Sequence, residues 1–348
     1  MRVAIATVQV PFIQGGAELM TANLLGALRE HGHQAEVVFL PFRFGPPSAV
    51  LRNMDQCQSV DFDRFDAGPI DELIALKFPA IYASHHSKRV WLMHQHRSVY
   101  ELWGTPFGEN ADDPDAIQLR AEVILRDTES LAAARSVFTI SPTVSERLAR
   151  FNGIASKPLI QPPPLAEHYR AGETYPYVFV PSRIEALKRQ DLLVRAMANV
   201  AEPVFAVIAG DGGQTDSLRR LIDELGLQHR VKLVGRIDHE TMVRYYSNAL
   251  CVFFAPFAED LGFVTFEAML SSKPVLTCTD SGGPTHFVVD GDTGVVCSPS
   301  PEHVAAAINR CWTHRQRTID MGHSARRHYD ALDISWTRVV DTLLASSN

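Results

Sequence analysis

From Ala258 to Gly294 the chain reads AEDLGFVTFEAMLSSKPVLTCTDSGGPTHFVVDGDTG, a few residues after the apolar run Ala249–Phe254. The apolar run predicts a buried strand, and the letters FEAML predict the first turns of a helix. Glu259 lies on the connecting loop and Glu267 just inside the helix, with the glycine turn at Gly262 between them. Open α/β sheets bind ligands at the carboxyl ends of their strands, where such loops and helix N-termini gather. The pattern therefore predicts a ligand site at this edge of a sheet.

A second predicted strand, Lys273–Cys278, leads into the turn Ser281-Gly282-Gly283-Pro284. An ordinary strand–helix–strand unit with a solvated acidic loop would account for the two carboxylates taken alone. The second glycine turn in the same layer favours a functional interpretation, because glycines let backbone N–H groups approach a bound molecule closely.

This region resembles the E-x7-E region of the retaining glycosyltransferases of family 4, which have the GT-B fold. The resemblance implies that Glu259 binds the donor sugar and that Glu267 binds the ribose of the nucleotide. It also implies that the backbone of Gly262, Phe263 and Val264 approaches the donor. The likeness covers nearly the whole chain and is strongest from residue 177 to residue 298.

Strands that alternate with helices run through both halves of the chain, which predicts an α/β protein with parallel doubly wound sheets. The predicted strands are 3–8, 35–40, 78–84, 89–95 and 136–141 in the first half, and 177–181, 204–209, 231–234, 250–254, 275–279 and 293–297 in the second. Residues 41–70 show no clean period, so we expect an irregular excursion there. The resemblance implies the GT-B arrangement, two facing Rossmann-like domains with a cleft between them.

The proline-rich segment Pro158–Pro164 predicts a stiff connection between two domains. We expect an N-terminal, acceptor-side domain at residues 1–170 and a nucleotide-sugar-binding domain at residues 171–333. The chain length of 348 residues suits two domains. The resemblance implies that a C-terminal helix within residues 334–348 packs back on the first domain, with Trp336 as its anchor.

Composition and charge exclude several classes of protein. A net charge of −7 argues against general nucleic-acid binding, which favours a basic face. No run reaches the ~18 apolar residues that a membrane span needs, and the N-terminus predicts a strand and no signal peptide. The five cysteines lack C-x-x-C spacing, which predicts buried thiols in a reducing cytoplasm.

The segment PSRIEALKRQD places Arg183 after the first strand of the second domain and Lys188 at the start of the next helix. An exposed pair of cations is usually only a solvated face. Their position at the carboxyl end of a strand favours ligand binding, and the resemblance implies that both grip the donor diphosphate. We expect the neighbouring Arg189 to be a surface residue.

A glycine pair, Gly15-Gly16, follows the first strand and the residues Pro11–Gln14. A tight turn between strand and helix would explain it, and so would the approach of backbone N–H groups to an anion or a sugar hydroxyl. The spacing is not G-x-G-x-x-G, so it does not predict dinucleotide binding. The resemblance implies contact with the donor phosphate or the acceptor.

Histidines and an arginine follow a predicted strand in the first domain: His94, His96 and Arg97. Such side chains can meet an acceptor hydroxyl or a phosphate, although a histidine in this position is as often structural. The resemblance implies a histidine near the transferred sugar, and the spacing does not choose between His94 and His96. Arg97 is then an acceptor-side residue.

Two further turns follow strands of the second domain. Gly210 begins the turn GDGG, and Arg236 follows Gly235 where the resemblance places the nucleotide base. The acids Asp290 and Asp292 lie at the start of a strand, so we interpret them as part of a turn that binds no metal.

Together these residues predict a retaining transferase that moves a hexose from a UDP- or GDP-sugar to a saccharide or lipid-linked acceptor. Negative charge grows on the leaving phosphate, and either a divalent metal or fixed cations can stabilise it. Arg183 and Lys188 favour the second solution, so we expect a metal-independent enzyme without a cofactor. Retention by front-face displacement is implied by the resemblance alone.

Two alternatives remain on the same fold. A sugar phosphorylase would need a cofactor lysine or a phosphate site for which the sequence has no motif. A relative that binds a nucleotide without transfer would not need the set Glu259, Arg183 and Lys188. Many relatives build polysaccharides or glycolipids, so the resemblance allows peripheral contact with the inner face of the membrane. The sequence assigns no oligomeric state.

Overall fold

The computed structural model describes residues 1–10, 15–65 and 68–345. Contacts divide the chain into two compact units, the first formed by Met1–Pro164 with the segment from Ser335 onward, and the second by Leu165–Ile334. The division falls a few residues before position 170. Each unit contains a six-stranded sheet, and every strand pair in both sheets is parallel.

The first sheet has the strand order β2-β1-β3-β4-β5-β6. Its strands are β1 (Arg2–Gln9), β2 (Gln34–Pro41), β3 (Glu72–Ala75), β4 (Lys88–Leu92), β5 (Ser136–Thr139) and β6 (Lys157–Pro158). The α-helices of this unit are α1 (Gly16–Glu30), α2 (Pro47–Gln58), α3 (Pro114–Ala132), α4 (Pro142–Asn152) and the C-terminal α11 (Trp336–Leu344).

The second sheet has the order β12-β11-β10-β7-β8-β9. Its strands are β7 (Tyr177–Pro181), β8 (Phe205–Ala209), β9 (Val231–Gly235), β10 (Cys251–Phe253), β11 (Val275–Cys278) and β12 (Gly294–Cys297). The α-helices are α5 (Gln190–Met197), α6 (Thr215–Glu224), α7 (His239–Asn248), α8 (Phe263–Leu270), α9 (Pro301–Thr313) and α10 (Arg315–Ala331).

The central strands are buried along their whole length because both faces of each sheet are covered. Every residue of β10 and β11 is buried, and so is every residue of β4. Strands buried on both faces appear in sequence as continuous apolar runs, which is what made them predictable. The α/β fold class with two parallel sheets is confirmed.

Two predictions for the first domain were wrong. Residues 41–70 contain the helix α2, whose buried side chains recur at helical spacing. The apolar segment 78–84 is not a strand: Ala80–Tyr82 form one turn of 3-10 helix that is nevertheless fully buried. The strand lies earlier, at Glu72–Ala75, where Glu72 is buried against Arg89 of the neighbouring strand at 2.9 Å. A buried ion pair conceals a strand from a hydrophobicity pattern, because charged residues are rarely buried unless paired.

The C-terminal helix α11 belongs to the first unit. Trp336 contacts Trp91 of β4 edge to face, with ring centroids 6.3 Å apart. The indole N–H of Trp91 donates to the carbonyl of Leu159 at 2.9 Å, so the buried tryptophan has its polar atom satisfied. Within the described residues, no helix is both long and apolar enough to cross a membrane.

Candidate active site

Strand order defines one special point on the second sheet. The chain runs outward from β7 through β8 to β9 on one side, and through β10, β11 and β12 on the other. The connections therefore diverge between β7 and β10, which opens a crevice at the carboxyl ends of these two strands. Lys188 follows β7 and Glu259 follows β10, so the topology brings them to the same edge.

Lys188 and Glu259 form an ion pair at this point. The Lys188 Nζ donates to Glu259 Oε2 at 2.7 Å, and the side chains are 19% and 16% exposed. The ammonium group also lies 5.5 Å from the ring centroid of Phe254, within range of a cation–π contact. Water reaches both charges only in part, so a ligand arriving here meets a carboxylate and an ammonium that are already held in place.

Two glycines allow the loops to approach each other. Gly262 has φ +81°, and a Cβ there would lie 2.3 Å from the Phe254 ring. Gly282 has φ +71°, and its Cβ would lie 2.5 Å from the Glu259 carbonyl oxygen. The N–H of Glu259 donates to the Ser281 carbonyl, and the N–H of Gly283 donates to the Glu259 carbonyl, each at 2.9 Å. The turn after β11 thus holds the backbone of Glu259 from both sides.

Glu267 lies in helix α8 and is held by phenols. The hydroxyls of Tyr246 and Tyr169 both donate to its carboxylate. Burial raises the pKa of Glu267, and the two hydroxyl donors oppose this by stabilising the charged form. The carboxylate is therefore oriented by neutral donors, in contrast to Glu259, which faces a cation.

Arg183 and Arg236 are both exposed at the carboxyl ends of β7 and β9. Among the described residues, neither guanidinium has a hydrogen bond or ion pair, which leaves both charges free to meet an anion. Gly210 has φ +137°, and a Cβ there would lie 2.0 Å from the Ser182 carbonyl oxygen, so the turn after β8 packs directly on the Arg183 segment.

The prediction that Arg189 is a surface residue was wrong. Its guanidinium makes a bidentate pair with Asp280, both N···O distances being 2.7 Å, and also donates to the carbonyls of Ala255 and Pro256. The side chain is 17% exposed. Asp280 and Ala255 are far from Arg189 in sequence, so a pattern of neighbouring letters could not reveal the contact.

The first sheet has an equivalent point between β1 and β3, where its strand order diverges. Gly15 follows β1, and its N–H donates to Glu18 Oε2 at 2.8 Å. Lys77 follows β3 and lies 3.6 Å from the other oxygen of Glu18. Within the described part of the chain, no atom lies within 4 Å of a Cβ placed at Gly16. The preceding residues Pro11–Gln14 lie outside the described part of the chain.

The two candidate histidines differ in their surroundings. His96 is buried and stacks on Phe78, with ring centroids 4.7 Å apart, and burial lowers its pKa to about 4. His94 is half-buried, and its Nδ1 contacts the carbonyl of Gln95 at 2.7 Å. Arg97 forms an ion pair with Glu101, with 2.5 Å between Nε and Oε1. His94 is therefore the ring that retains an accessible face.

Sequence reasoning missed four side chains at these edges: Lys77, Tyr169, Tyr246 and Arg189. The signal for Lys77 was hidden because the strand before it was assigned to residues 78–84. Tyr169 lies before β7 and Tyr246 lies within α7. Both segments lack a motif, and only the fold brings the two tyrosines to Glu267. If the strand had been placed at Glu72–Ala75, Lys77 would have been recognised as a cation just after the carboxyl end of a strand.

Asp63, His85 and His86 are a group within the described residues whose ligand atoms lie within 4.8 Å of one another. They precede β4, at the amino ends of the first sheet and at the opposite end of its strands from Gly15 and Lys77. Ser87 N–H donates to Nδ1 of His85, so Nε2 carries the proton of the neutral ring and donates to the Ile70 carbonyl, each at 3.1 Å. His85 therefore has no free lone pair for a metal ion. Asp290 accepts the N–H of Val296 at 2.9 Å within its turn.

The second unit of the chain resembles a known protein family, and the whole chain resembles proteins of known structure. Residues 165–328 match the family model described as "Glycosyl transferases group 1". A D-inositol 3-phosphate glycosyltransferase of Nocardia farcinica is 34% identical over 182 residues, covering 49% of this chain and 40% of that protein. The chain thus spans about two fifths of the length of the curated relatives it matches.

Solved structures match over almost the full chain. Sucrose-phosphate synthase from Thermosynechococcus elongatus has a TM-score of 0.79 at 19% identity, covering 98% of this chain and 97% of that one. Anabaena Alr3699/HepE, solved in complex with UDP and glucose, has a TM-score of 0.67 at 18% identity, covering 98% of each chain. At these identities the likeness establishes the fold.

Proposed function

We propose that the protein is a retaining glycosyltransferase of GT-B fold, because residues 165–328 match the model of the group 1 glycosyltransferases and the chain resembles solved structures over almost its full length. It moves a hexose from a UDP- or GDP-sugar to a saccharide or lipid-linked acceptor. The observation that carries the proposal is the Lys188–Glu259 pair at the point where the connections of the second sheet diverge.

The diphosphate of the donor takes the place of the carboxylate as partner of Lys188. Arg183 is exposed near the same strand end, and its guanidinium has no partner among the described residues, so it meets the other phosphate. When Lys188 turns to the phosphate, Glu259 is released to accept hydrogen bonds from sugar hydroxyls. The ion pair of the free protein thus keeps the two groups close together until the donor arrives.

Bond breaking needs positive charge near the leaving group, because the anomeric carbon loses its bond to the phosphate oxygen and negative charge grows on that oxygen. A unit charge at ~4 Å contributes about 4 kcal/mol at an effective dielectric of ~20, before desolvation is subtracted. A few kcal/mol of preferential stabilisation changes the rate by a factor of hundreds. The two cations support metal-independent catalysis.

In the proposed front-face step, the acceptor oxygen forms a bond to the anomeric carbon on the side that the phosphate leaves. The acceptor proton passes to the leaving phosphate oxygen, so the configuration of the sugar is retained. Glu267, oriented by Tyr246 and Tyr169, accepts hydrogen bonds from the ribose hydroxyls of the nucleotide.

On the acceptor side we propose His94 as the residue that contacts the sugar, because His96 is enclosed by aromatic rings. UDP is the nucleotide to test first, because Anabaena Alr3699/HepE was solved with UDP and glucose. Inositol 3-phosphate belongs among the acceptors tested, since the curated relatives are named for it.

The test is a thermal-shift panel with UDP, GDP, ADP and dTDP, with and without EDTA. It uses the wild type, Arg183→Ala and the matched control Arg195→Ala, whose arginine lies exposed on α5 beside Asp191. A ligand at 100 times its dissociation constant adds about 2.7 kcal/mol to the free energy of unfolding. We expect one diphosphate to shift the wild type and the control, with no effect of EDTA, and not to shift Arg183→Ala.

No shift with any of the four nucleotides, for a folded wild type, would contradict the donor site. A shift that EDTA abolishes would contradict metal independence. Transfer itself is followed by NMR of the product formed from the matching nucleotide-sugar, where an inverted anomeric configuration would contradict the retaining mechanism.

A further inference from the structure

Arg189 has a backbone conformation that an arginine seldom adopts. Its φ and ψ are +52° and +41°, in the left-handed region that glycine occupies without cost. It sits between the 3-10 turn that ends at Lys188 and the start of helix α5. A strained residue persists only where its surroundings hold it in place, and such residues concentrate at functional sites.

The side chain makes the contacts that hold it. Nε donates to the Ala255 carbonyl at 2.7 Å and Nη2 to the Pro256 carbonyl at 2.9 Å. Nη1 and Nη2 each donate to one oxygen of Asp280 at 2.7 Å. One guanidinium therefore joins three loops, which follow β7, β10 and β11. This planar group with five N–H donors is the side chain suited to such a fork.

Each joined loop carries part of the site. Lys188 directly precedes Arg189, and Glu259 lies three residues after Pro256. Asp280 directly precedes Ser281, whose carbonyl accepts the N–H of Glu259 at 2.9 Å. Displacing any one loop would therefore alter the distance between the Lys188 ammonium and the Glu259 carboxylate.

We propose that Arg189 is a positioning residue that braces the three loops and so sets the spacing of Lys188 and Glu259 for the donor diphosphate. The inference rests on the proposed function, since it acts through the same pair. It adds a residue that touches no substrate: the side chain is occupied by Asp280 and two carbonyls.

The first test is a double-mutant cycle on UDP affinity, measured by calorimetry, with wild type, Arg189→Gly, Lys188→Ala and the double variant. Glycine accepts the left-handed backbone, so only the side chain is lost. We expect Arg189→Gly to weaken UDP binding about tenfold, the size typical of coupled neighbours, and to add almost nothing in the Lys188→Ala background. Wild-type affinity in Arg189→Gly, or fully additive losses, would overturn the brace.

The second test does not depend on nucleotide binding. Hydrogen exchange of residues 255–262 and 280–283 is compared in wild type, Arg189→Gly and the exposed-arginine control Arg195→Ala. We expect faster exchange of both segments in Arg189→Gly alone, and unchanged exchange would overturn the proposal. If the wild type binds neither UDP nor GDP, the proposed function fails while this result still decides whether the brace exists.

A third comparison separates backbone strain from the lost contacts. Arg189→Ala removes the same side-chain bonds as Arg189→Gly but keeps a Cβ in the left-handed region. We expect Arg189→Ala to melt at a lower temperature than Arg189→Gly. A melting temperature of Arg189→Ala equal to that of the wild type would contradict the brace, because the four hydrogen bonds of the guanidinium would then contribute nothing to stability.

Discussion

Each domain contains a carboxyl group that accepts hydrogen bonds from two tyrosine hydroxyls, yet the two clusters lie in different kinds of place. In the N-terminal domain Asp127 of α3 is fully buried and accepts from Tyr82 and Tyr100, each at 2.7 Å. In the C-terminal domain Glu267 accepts from Tyr169 and Tyr246 and remains partly exposed near the diverging strands. The same polar motif therefore serves packing in one domain and faces the candidate site in the other.

The surroundings explain the difference. Around Asp127 the hydrogen bonds continue to further side chains, since Asn152 donates to the Tyr100 hydroxyl and Gln95 donates to Asn152. Burial raises the pKa of Asp127 to about 7. Glu267 lies in helix α8, whose N-cap is Gly262, next to the loop of Glu259. A buried, satisfied network makes a core specific, whereas a carboxylate with an accessible side can bind a ligand.

The largest expected effect is on the KM for the donor, which should depend on Glu267 and not on Asp127. Glu267→Gln keeps the shape and one oxygen that can accept from a tyrosine hydroxyl, but replaces charged hydrogen bonds to ribose by neutral ones. Hydrogen bonds to charged groups contribute about 1.5–3 kcal/mol, so we expect the KM for the donor to rise about 10- to 100-fold. Steady-state kinetics with the nucleotide-sugar measures this.

Asp127→Asn is the matched control, because it makes the same carboxyl-to-amide change inside the other domain. Its donor KM should stay near that of the wild type. Equal losses in both variants would remove the functional distinction between the two clusters.

The next prediction concerns how Asp127 makes the free energy of unfolding depend on pH. The pKa of Asp127 is raised to about 7 in the folded protein, so between its unfolded pKa of about 4 and pH 7 the folded state holds a proton that the unfolded state releases. The free energy of unfolding therefore falls as pH rises through this window, by up to about 1.4 kcal/mol per pH unit. Asp127→Asn removes this dependence, so its stability relative to wild type should rise with pH.

Urea unfolding at pH 5, 6 and 7 measures the difference between the two proteins. The comparison with wild type is needed because His96 acts in the opposite direction: its pKa is lowered to about 4, so its contribution is lost as pH falls. A pH-independent difference between Asp127→Asn and wild type would contradict the raised pKa.

The smallest effect removes one hydroxyl from each cluster. Tyr82→Phe and Tyr246→Phe each delete one donor to a carboxyl, which should cost about 1–3 kcal/mol of stability. We expect Tyr246→Phe also to weaken donor binding a few-fold, because Glu267 loses an orienting partner, while Tyr82→Phe leaves it unchanged. Urea titration and nucleotide calorimetry on both variants decide this, and a weaker donor affinity in Tyr82→Phe would argue against separate roles.

The amino-acid sequence by itself determined most of the second domain. Its six strands were predicted within one or two residues at each end, because strands buried on both faces appear as apolar runs bounded by glycine and proline. The positions of Lys188 and Glu259 at strand ends followed from the same runs. In the first domain, Glu72 placed a charge at the start of β3, so the pattern assigned the strand to residues 78–84 and missed Lys77.

Only the tertiary structure decided which groups meet. The partners of Lys188 and Arg189 lie 71 and 91 residues further along the chain, and no local period encodes such distances. Burial likewise separated His94 from His96, since the rings of Phe42 and Phe78 reach His96 from other segments. Local patterns determine where a side chain leaves the sheet, whereas its charge state, partner and exposure depend on what the fold packs against it.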